Sequence, residues 1–243
     1  MIKKVLVIIP TYNESDSIVL LLNRINKIIQ ELKNSYEIEV VMVDGNSSDE
    51  TRELAYSLGL KNLKIIHQIQ KNGIGPAYKE GFEFGLKGDY SLFVQMDADL
   101  SHQPEDLAKL LANSSTKKLV IGTRWMEGGS VINWPRHRRF VSKLGTRYAS
   151  ILLGLANRDL TSGFRVLPKE LLEKLDLSTI QSIGYGFQIE LALNAVRAGF
   201  EIEEVPITFI ERENGESKMS LSIVFEAWKV VTAKGFKRVI VRR

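Results

Sequence analysis

The chain has 243 residues, 44% of them hydrophobic and 26% charged, and a formal net charge of +4. That length can bury a full core in one domain, and that balance excludes intrinsic disorder. Zero cysteines exclude disulfides, thiolate metal sites and a cysteine nucleophile, and no uninterrupted apolar segment approaches the ~20 residues of a membrane-spanning helix.

In chain order, the first apolar run predicts a strand over 3–9, too short before Pro10 for the apolar region of a signal peptide. Periodicity and turn signals then predict helix 15–33, strand 38–43, helix 49–58, strand 63–67, helix 76–86, strand 90–96, helix 104–112 and strand 118–122. Continuous Val/Ile/Leu runs alternating with helices predict an α/β architecture, a mainly parallel sheet covered on both faces. Downstream come a basic loop 123–136, a long amphipathic helix 138–156, a short strand 163–167, helices 168–175 and 186–198, and strands 202–210. A Gly/Ser-containing loop, 212–220, leads into a last helix ending near Ala233. No linker separates 1–122 from 123–243, so the expectation is one domain.

In an open α/β sheet, ligands bind outside the carboxyl ends of the strands. Polar residues follow four predicted strand ends: Thr11 to Glu14, Asp44, Asn72 with Gly73, and Asp97 with Asp99. Asp97 and Asp99, one residue apart where pairing stops, can turn toward one hard cation, and carboxylate oxygens suit Mg²⁺ or Mn²⁺. Asp99 can equally open the helix near Pro104, and Asp44 can cap the helix near Ser48. The glycine loop KNGIG (71–75) lacks the third glycine of a dinucleotide fingerprint, and GxxxxGK[ST] does not occur, which disfavours nicotinamide, flavin and P-loop chemistry. From Arg124 to Tyr148 there are six Lys or Arg against one acid, Glu127, a cluster suited to phosphate. Nucleic-acid binding explains that cluster but none of the carboxylates.

With these residues assembled, the chain resembles the inverting glycosyltransferases of family 2, and within them the dolichol- or polyprenol-phosphate mannose synthases. The resemblance rests on IPTYNE (9–14), VMVDGNSSDET (41–51), NGIGPAYKEG (72–81), MDADLSHQPE (96–105), IGTRWMEGG (121–129), NWPRHRR (133–139), DLTSGFRV (159–166), GYGFQIE (184–190) and EVPITFIERENGESK (204–218). It implies a GT-A fold, with a nucleotide-sugar-binding half over 1–122 and an acceptor-binding half over 123–243. It implies that Pro10, Tyr12, Glu14, Val43 and Asp44 line the base and ribose pocket. Asp97, Ala98 and Asp99 would lie against the diphosphate, with Asp97 and Asp99 holding the divalent cation and Asp99 its direct ligand. Relatives often carry Gln at the position of Ser101 and a second aspartate at that of Gly45, so the third metal ligand and the base contacts depart from the family pattern. Arg124, Arg212 and Lys218 match positions that engage donor or acceptor phosphate, and Arg138 joins them. Asp99, Arg124, Arg138 and Arg212 are the expected catalytic set.

The implied reaction is transfer of mannose from GDP-mannose to a polyprenyl (dolichyl) phosphate. The alternatives are another donor, such as UDP-glucose, or a glycan hydroxyl as acceptor. A lipid monophosphate is already anionic at neutral pH, so no strong general base is expected, whereas a sugar hydroxyl would call for one. Helix 138–156 could lie at a lipid interface or face the core, and the C-terminal KGFKRVIVRR could add attraction to anionic lipid. Association with the cytoplasmic face of a membrane is therefore expected to be peripheral, or to use a partner subunit.

Overall fold

The apolar run Lys3–Thr11 forms strand β1, in which Val5 to Ile9 are all fully buried. Leu6 and Ile8 enter the core on one face of the sheet, while Val5, Val7 and Ile9 enter the core on the other. Burial on both faces is why the run is continuously apolar. The computed structural model describes residues 2–211, 229 and 231–235.

The chain continues through α1 (Ser15–Leu32), β2 (Tyr36–Asp44), α2 (Thr51–Ser57), β3 (Leu63–His67), α3 (Ile74–Leu86), β4 (Leu92–Gln95) and α4 (Leu107–Ala112). Then follow β5 (Lys118–Thr123), β6 (Ser130–Ile132), α5 (Arg136–Leu153), β7 (Arg165–Pro168), α6 (Lys169–Lys174), α7 (Tyr185–Arg197), β8 (Glu201–Pro206) and β9 (Thr208–Ile210). One seven-stranded sheet has the order β3-β2-β1-β4-β7-β5-β8, and β6 pairs with β9 in a separate two-stranded sheet. All neighbours in the large sheet run parallel except β7, which is antiparallel to both β4 and β5. On α1, Ile18, Leu21, Leu22, Ile25, Ile28 and Ile29 recur at helical spacing and fill one core. The winding reverses between β1 and β4, which opens a crevice at their carboxyl ends.

Several elements differ from the sequence expectation. The predicted strands over 202–210 are β8 and β9, which divide at Pro206, whose missing N–H ends β8; β9 then leaves the large sheet to pair with β6. Strand β6, inside the predicted basic loop, is three residues long and carries no periodic signal. Helix α5 begins directly after Pro135, and stops because Gly154 takes a left-handed conformation at φ 66°. Predicted helix 104–112 opens as a 3₁₀ turn over Pro104–Asp106. The predicted loop 212–220 and most of the basic tail lie outside the described residues.

Candidate active site

A cavity of about 450 Å³ lies at the β1–β4 reversal and reaches into the second half of the chain. Pro10, Thr11, Tyr12 and Glu14 line it from the end of β1, and Asp97, Ala98 and Asp99 from beyond β4. Gly45 after β2, and Gln68, Lys71 and Asn72 after β3, complete the four strand ends around it. Lys71 Nζ sits 3.8 Å from the centre of the Tyr12 ring, a cation–π contact at this end of the cavity.

Val43 and Asp44 stand apart from the other expected nucleotide contacts. Both are fully buried and do not line the cavity. The Asp44 carboxylate accepts hydrogen bonds from Ser47 N at 3.0 Å and Ser47 Oγ at 2.5 Å, and lies 3.7 Å from Arg52 Nε. It thereby fixes the 44–48 turn. That turn is interlocked with the 11–15 segment: Asn13 N donates to Ser47 Oγ at 3.0 Å, and Ser48 N donates to Asn13 Oδ1 at 2.9 Å. Thr51 Oγ1 and Asp49 accept from Glu14 N and Ser15 N, satisfying amides at the start of α1 from another element.

The paired aspartates are held by their surroundings. Tyr78 OH donates to Asp97 Oδ1 at 3.4 Å, and burial followed by the Asp97 charge pushes the phenol well above its ordinary pKa. Asp97 N donates to His102 Nδ1 at 3.2 Å, which selects the Nε2–H tautomer. The same Nδ1 lies 3.6 Å from Asp97 Oδ2. A Cβ at position 163 would meet Asp97 Oδ1 at 3.1 Å and Oδ2 at 3.2 Å, so Gly163 permits the backbone to approach the carboxylate. Asp99 Oδ1 accepts from Ser101 N at 3.1 Å, and Ser101 O accepts from Ile210 N at 3.0 Å, which ties the turn to β9.

These residues fit a hard divalent cation: two carboxylates line one cavity, and Ser101 Oγ beside them is buried without a hydrogen-bond partner. Among the described residues no three His, Asp or Glu converge, so the remaining ligands would come from phosphate oxygens or water.

Arg124 and Arg138 line the same cavity. Arg124 is 7% exposed and grips fully buried Asp159 at two points, Nε to Oδ2 at 2.6 Å and one terminal nitrogen to Oδ1 at 2.8 Å. Trp125, Trp134 and Phe209 surround its guanidinium at 5.1 to 5.5 Å. Burial raises the Asp159 pKa, but the charge and hydrogen bonds of Arg124 more than offset this and leave it below the ordinary value. Arg138, at the start of α5, stacks 4.2 Å from the Trp134 ring and donates to Glu211; both partners are about a quarter exposed. Arg212 and Lys218 lie outside the described residues.

Three supporting residues were not singled out by sequence reasoning. Fully buried Arg165 donates to the carbonyls of Leu160, Ser162 and Gln188 at 2.7 to 2.8 Å, fixing the turn that carries Gly163. Burial pushes its pKa down to about 9, opposed by the Asp159 charge. Tyr78 and Asp159 likewise act through a neighbour. Their segments, NGIGPAYKEG and DLTSGFRV, were the available signal; the pairings join residues 19 and 35 positions apart.

A family model described as glycosyl transferase family 2 matches residues 6–176. The chain is 44% identical over 234 residues to an undecaprenyl-phosphate mannosyltransferase of Micrococcus luteus, covering 96% of this chain and 94% of the relative. It is 43% identical over 239 residues to a polyprenol monophosphomannose synthase of Mycolicibacterium smegmatis, covering 97% and 88%. Among solved structures, glucosyl-3-phosphoglycerate synthase from Mycobacterium tuberculosis, crystallised with Mn²⁺, UDP and phosphoglyceric acid, superposes with a TM-score of 0.71 at 18% identity, covering 96% of this chain and 78% of that one.

Proposed function

Since the chain belongs to glycosyltransferase family 2 and is a glycosyltransferase of GT-A fold, we propose that it transfers mannose from GDP-mannose to a polyprenyl (dolichyl) phosphate at a membrane surface, with inversion. The observation that carries this reading is one cavity holding both carboxylates suited to a diphosphate-bound cation and a cationic wall suited to an incoming phosphate. The names of the two relatives support mannose and the lipid acceptor.

A Mg²⁺ or Mn²⁺ ion bound at Asp97 and Asp99 would supply positive charge to the departing diphosphate. Tyr78 and the Gly163 turn orient Asp97 for that task, and the Ser101 amide orients Asp99. Arg138 is the better receiver for the acceptor phosphate. Its partner Glu211 is partly exposed and can exchange for phosphate, whereas Arg124 is tied at two points to an anion that is fully buried. Arg124 contributes the positive wall behind it, and Arg212 and Lys218 are proposed to join from outside the described residues. The phosphate oxygen is anionic at neutral pH, so attack on the anomeric carbon needs position rather than a base.

Helix α5 supports the membrane assignment. It buries only Thr146, Ala149 and Leu153, while Phe140 is 63% exposed, Val141 60%, Leu144 49% and Ile151 68%. Lys143 and Arg147 are interleaved with these apolar residues, as in a helix lying on anionic lipid. No helix among the described residues is long and apolar enough to cross a membrane, and the proposed association is peripheral, on the cytoplasmic face, alone or through a partner subunit.

A donor panel assayed with polyprenyl phosphate and Mg²⁺ or Mn²⁺ tests the proposal. GDP-mannose should give the highest kcat/KM and a β-linked lipid sugar. Preference for UDP-glucose would replace the donor, and transfer of no hexose from any nucleotide sugar would refute the function.

A further inference from the structure

Among the described residues, six buried side-chain nitrogen or oxygen atoms without a hydrogen-bond partner belong to residues lining this one cavity. They are Ser101 Oγ, Trp134 Nε1, Arg138 Nε, Thr146 Oγ1 and both amide atoms of Gln188. Buried polar groups are normally paired, so such a concentration on a cavity wall marks where a polar ligand supplies the partners.

Gln188 is the most informative of these. It stands on α7, is 2% exposed, and leaves both Oε1 and Nε2 unpaired. Two chains of contact connect it to Asp97. Arg165 donates to Gln188 O at 2.7 Å and to Ser162 O at 2.8 Å, next to the glycine whose missing Cβ leaves room for the Asp97 carboxylate. Phe187 stacks on Tyr78 with ring centres 6.0 Å apart, and Tyr78 OH donates to Asp97. Thr146 on α5, also 2% exposed, lines the same cavity, and its Oγ1 is buried without a hydrogen-bond partner. The other lining residues on these two helices are uncharged, among them Gly145, Tyr148, Ala149 and Ile189, except Arg138 at the start of α5. Apart from Arg138, this helical wall offers little to a phosphate or a cation. An amide and a hydroxyl, each able to donate and to accept, match the paired hydroxyls of a sugar, and apolar walls match its C–H faces.

We infer that Gln188 reads the transferred sugar, its Nε2 donating to one ring hydroxyl of the nucleotide sugar and its Oε1 accepting from a neighbouring one, with Thr146 Oγ1 as a further contact. This deepens the proposed function and rests on it for the identity of the donor. Gln188 is then a specificity residue that acts on the sugar and not on the nucleotide.

The test compares Gln188→Met, which keeps the volume and removes both polar atoms, with the wild-type chain. Calorimetry in Mn²⁺ measures affinity for GDP-mannose and for GDP, and for UDP-glucose and UDP. The variant should bind the nucleotide sugar about tenfold more weakly while nucleoside-diphosphate affinity stays within about twofold, the selective loss of one or two hydrogen bonds. Its Tm in the absence of ligand should not fall, because no internal hydrogen bond is removed. Equal weakening toward both members of a pair, or no weakening, overturns the inference. Thr146→Val is measured alongside and decides the matter by the same criterion if Gln188→Met does not fold. A wild-type chain that transfers no hexose to polyprenyl phosphate refutes the proposed function instead, and the binding comparison then proceeds with whichever nucleotide sugar it binds.

Discussion

Arg124 and Asp159 show how a residue's role depends on its partner. As a sequence feature Arg124 belongs to a basic cluster suited to phosphate; in the fold it is one half of a buried, two-point ion pair enclosed by aromatic rings. Replacing Asp159 with Asn leaves a buried guanidinium without its counter-charge and should cost about 3–5 kcal/mol, measured by urea unfolding at neutral pH. The pH dependence has a defined sign. The folded pKa of Asp159 lies below its unfolded value, so its stabilisation is present above an unfolded pKa of about 3.9 and is lost as pH falls through the lower folded value. Glu204, raised chiefly by burial, acts in the opposite sense and favours the folded state on protonation. Asp159→Asn should therefore flatten the acid limb of the wild-type stability curve. Asp97 and Asp99 were legible in the sequence because one short segment carries both. Asp159 and Tyr78 were not, because their partners are distant in sequence and meet only after the sheet assembles.

Among the elements, α5 carries the least settled sequence signal and the clearest structural one. Its amphipathic pattern is compatible with a core-facing helix, and only exposure separates the two cases. With four large apolar side chains outside and only Thr146, Ala149 and Leu153 buried, the helix presents an apolar, basic face. Phe140→Ser combined with Leu144→Ser should weaken binding to anionic vesicles by about tenfold or more while leaving Tm nearly unchanged, as seen by vesicle co-sedimentation and thermal melting. Residual binding should fall with added salt, because Lys143 and Arg147 contribute screened attraction. Unchanged vesicle binding would remove α5 from the membrane contact. The same helix illustrates what local chemistry does determine: Gly154 stops it where a left-handed residue is required.

For the whole molecule, the site exists because β1 and β4 lie side by side at the point where the winding reverses. On the proposed function, a nucleotide diphosphate held there with a cation would bind only the folded chain. GDP at about a hundredfold excess over its dissociation constant should therefore stabilise the protein by about 2.7 kcal/mol, read as a rise in Tm. A chelator should remove most of that gain, and Asp99→Ala should lose it without a comparable loss in ligand-free stability. A full nucleotide shift with chelator present would exclude the cation from the donor site.

The α/β class, the strands up to β5 and the polar residues at four strand ends were determined by sequence alone, because strand burial and helical periodicity leave a pattern within a few residues. The antiparallel insertion of β7, the departure of β9 into a second sheet and the burial of Asp44 behind the cavity were decided by tertiary structure. Those features depend on which distant segment supplies a backbone or side-chain partner. The same holds for Gln188: its identity is plain in the sequence, but only packing shows a buried amide with both edges unpaired beside the aspartates.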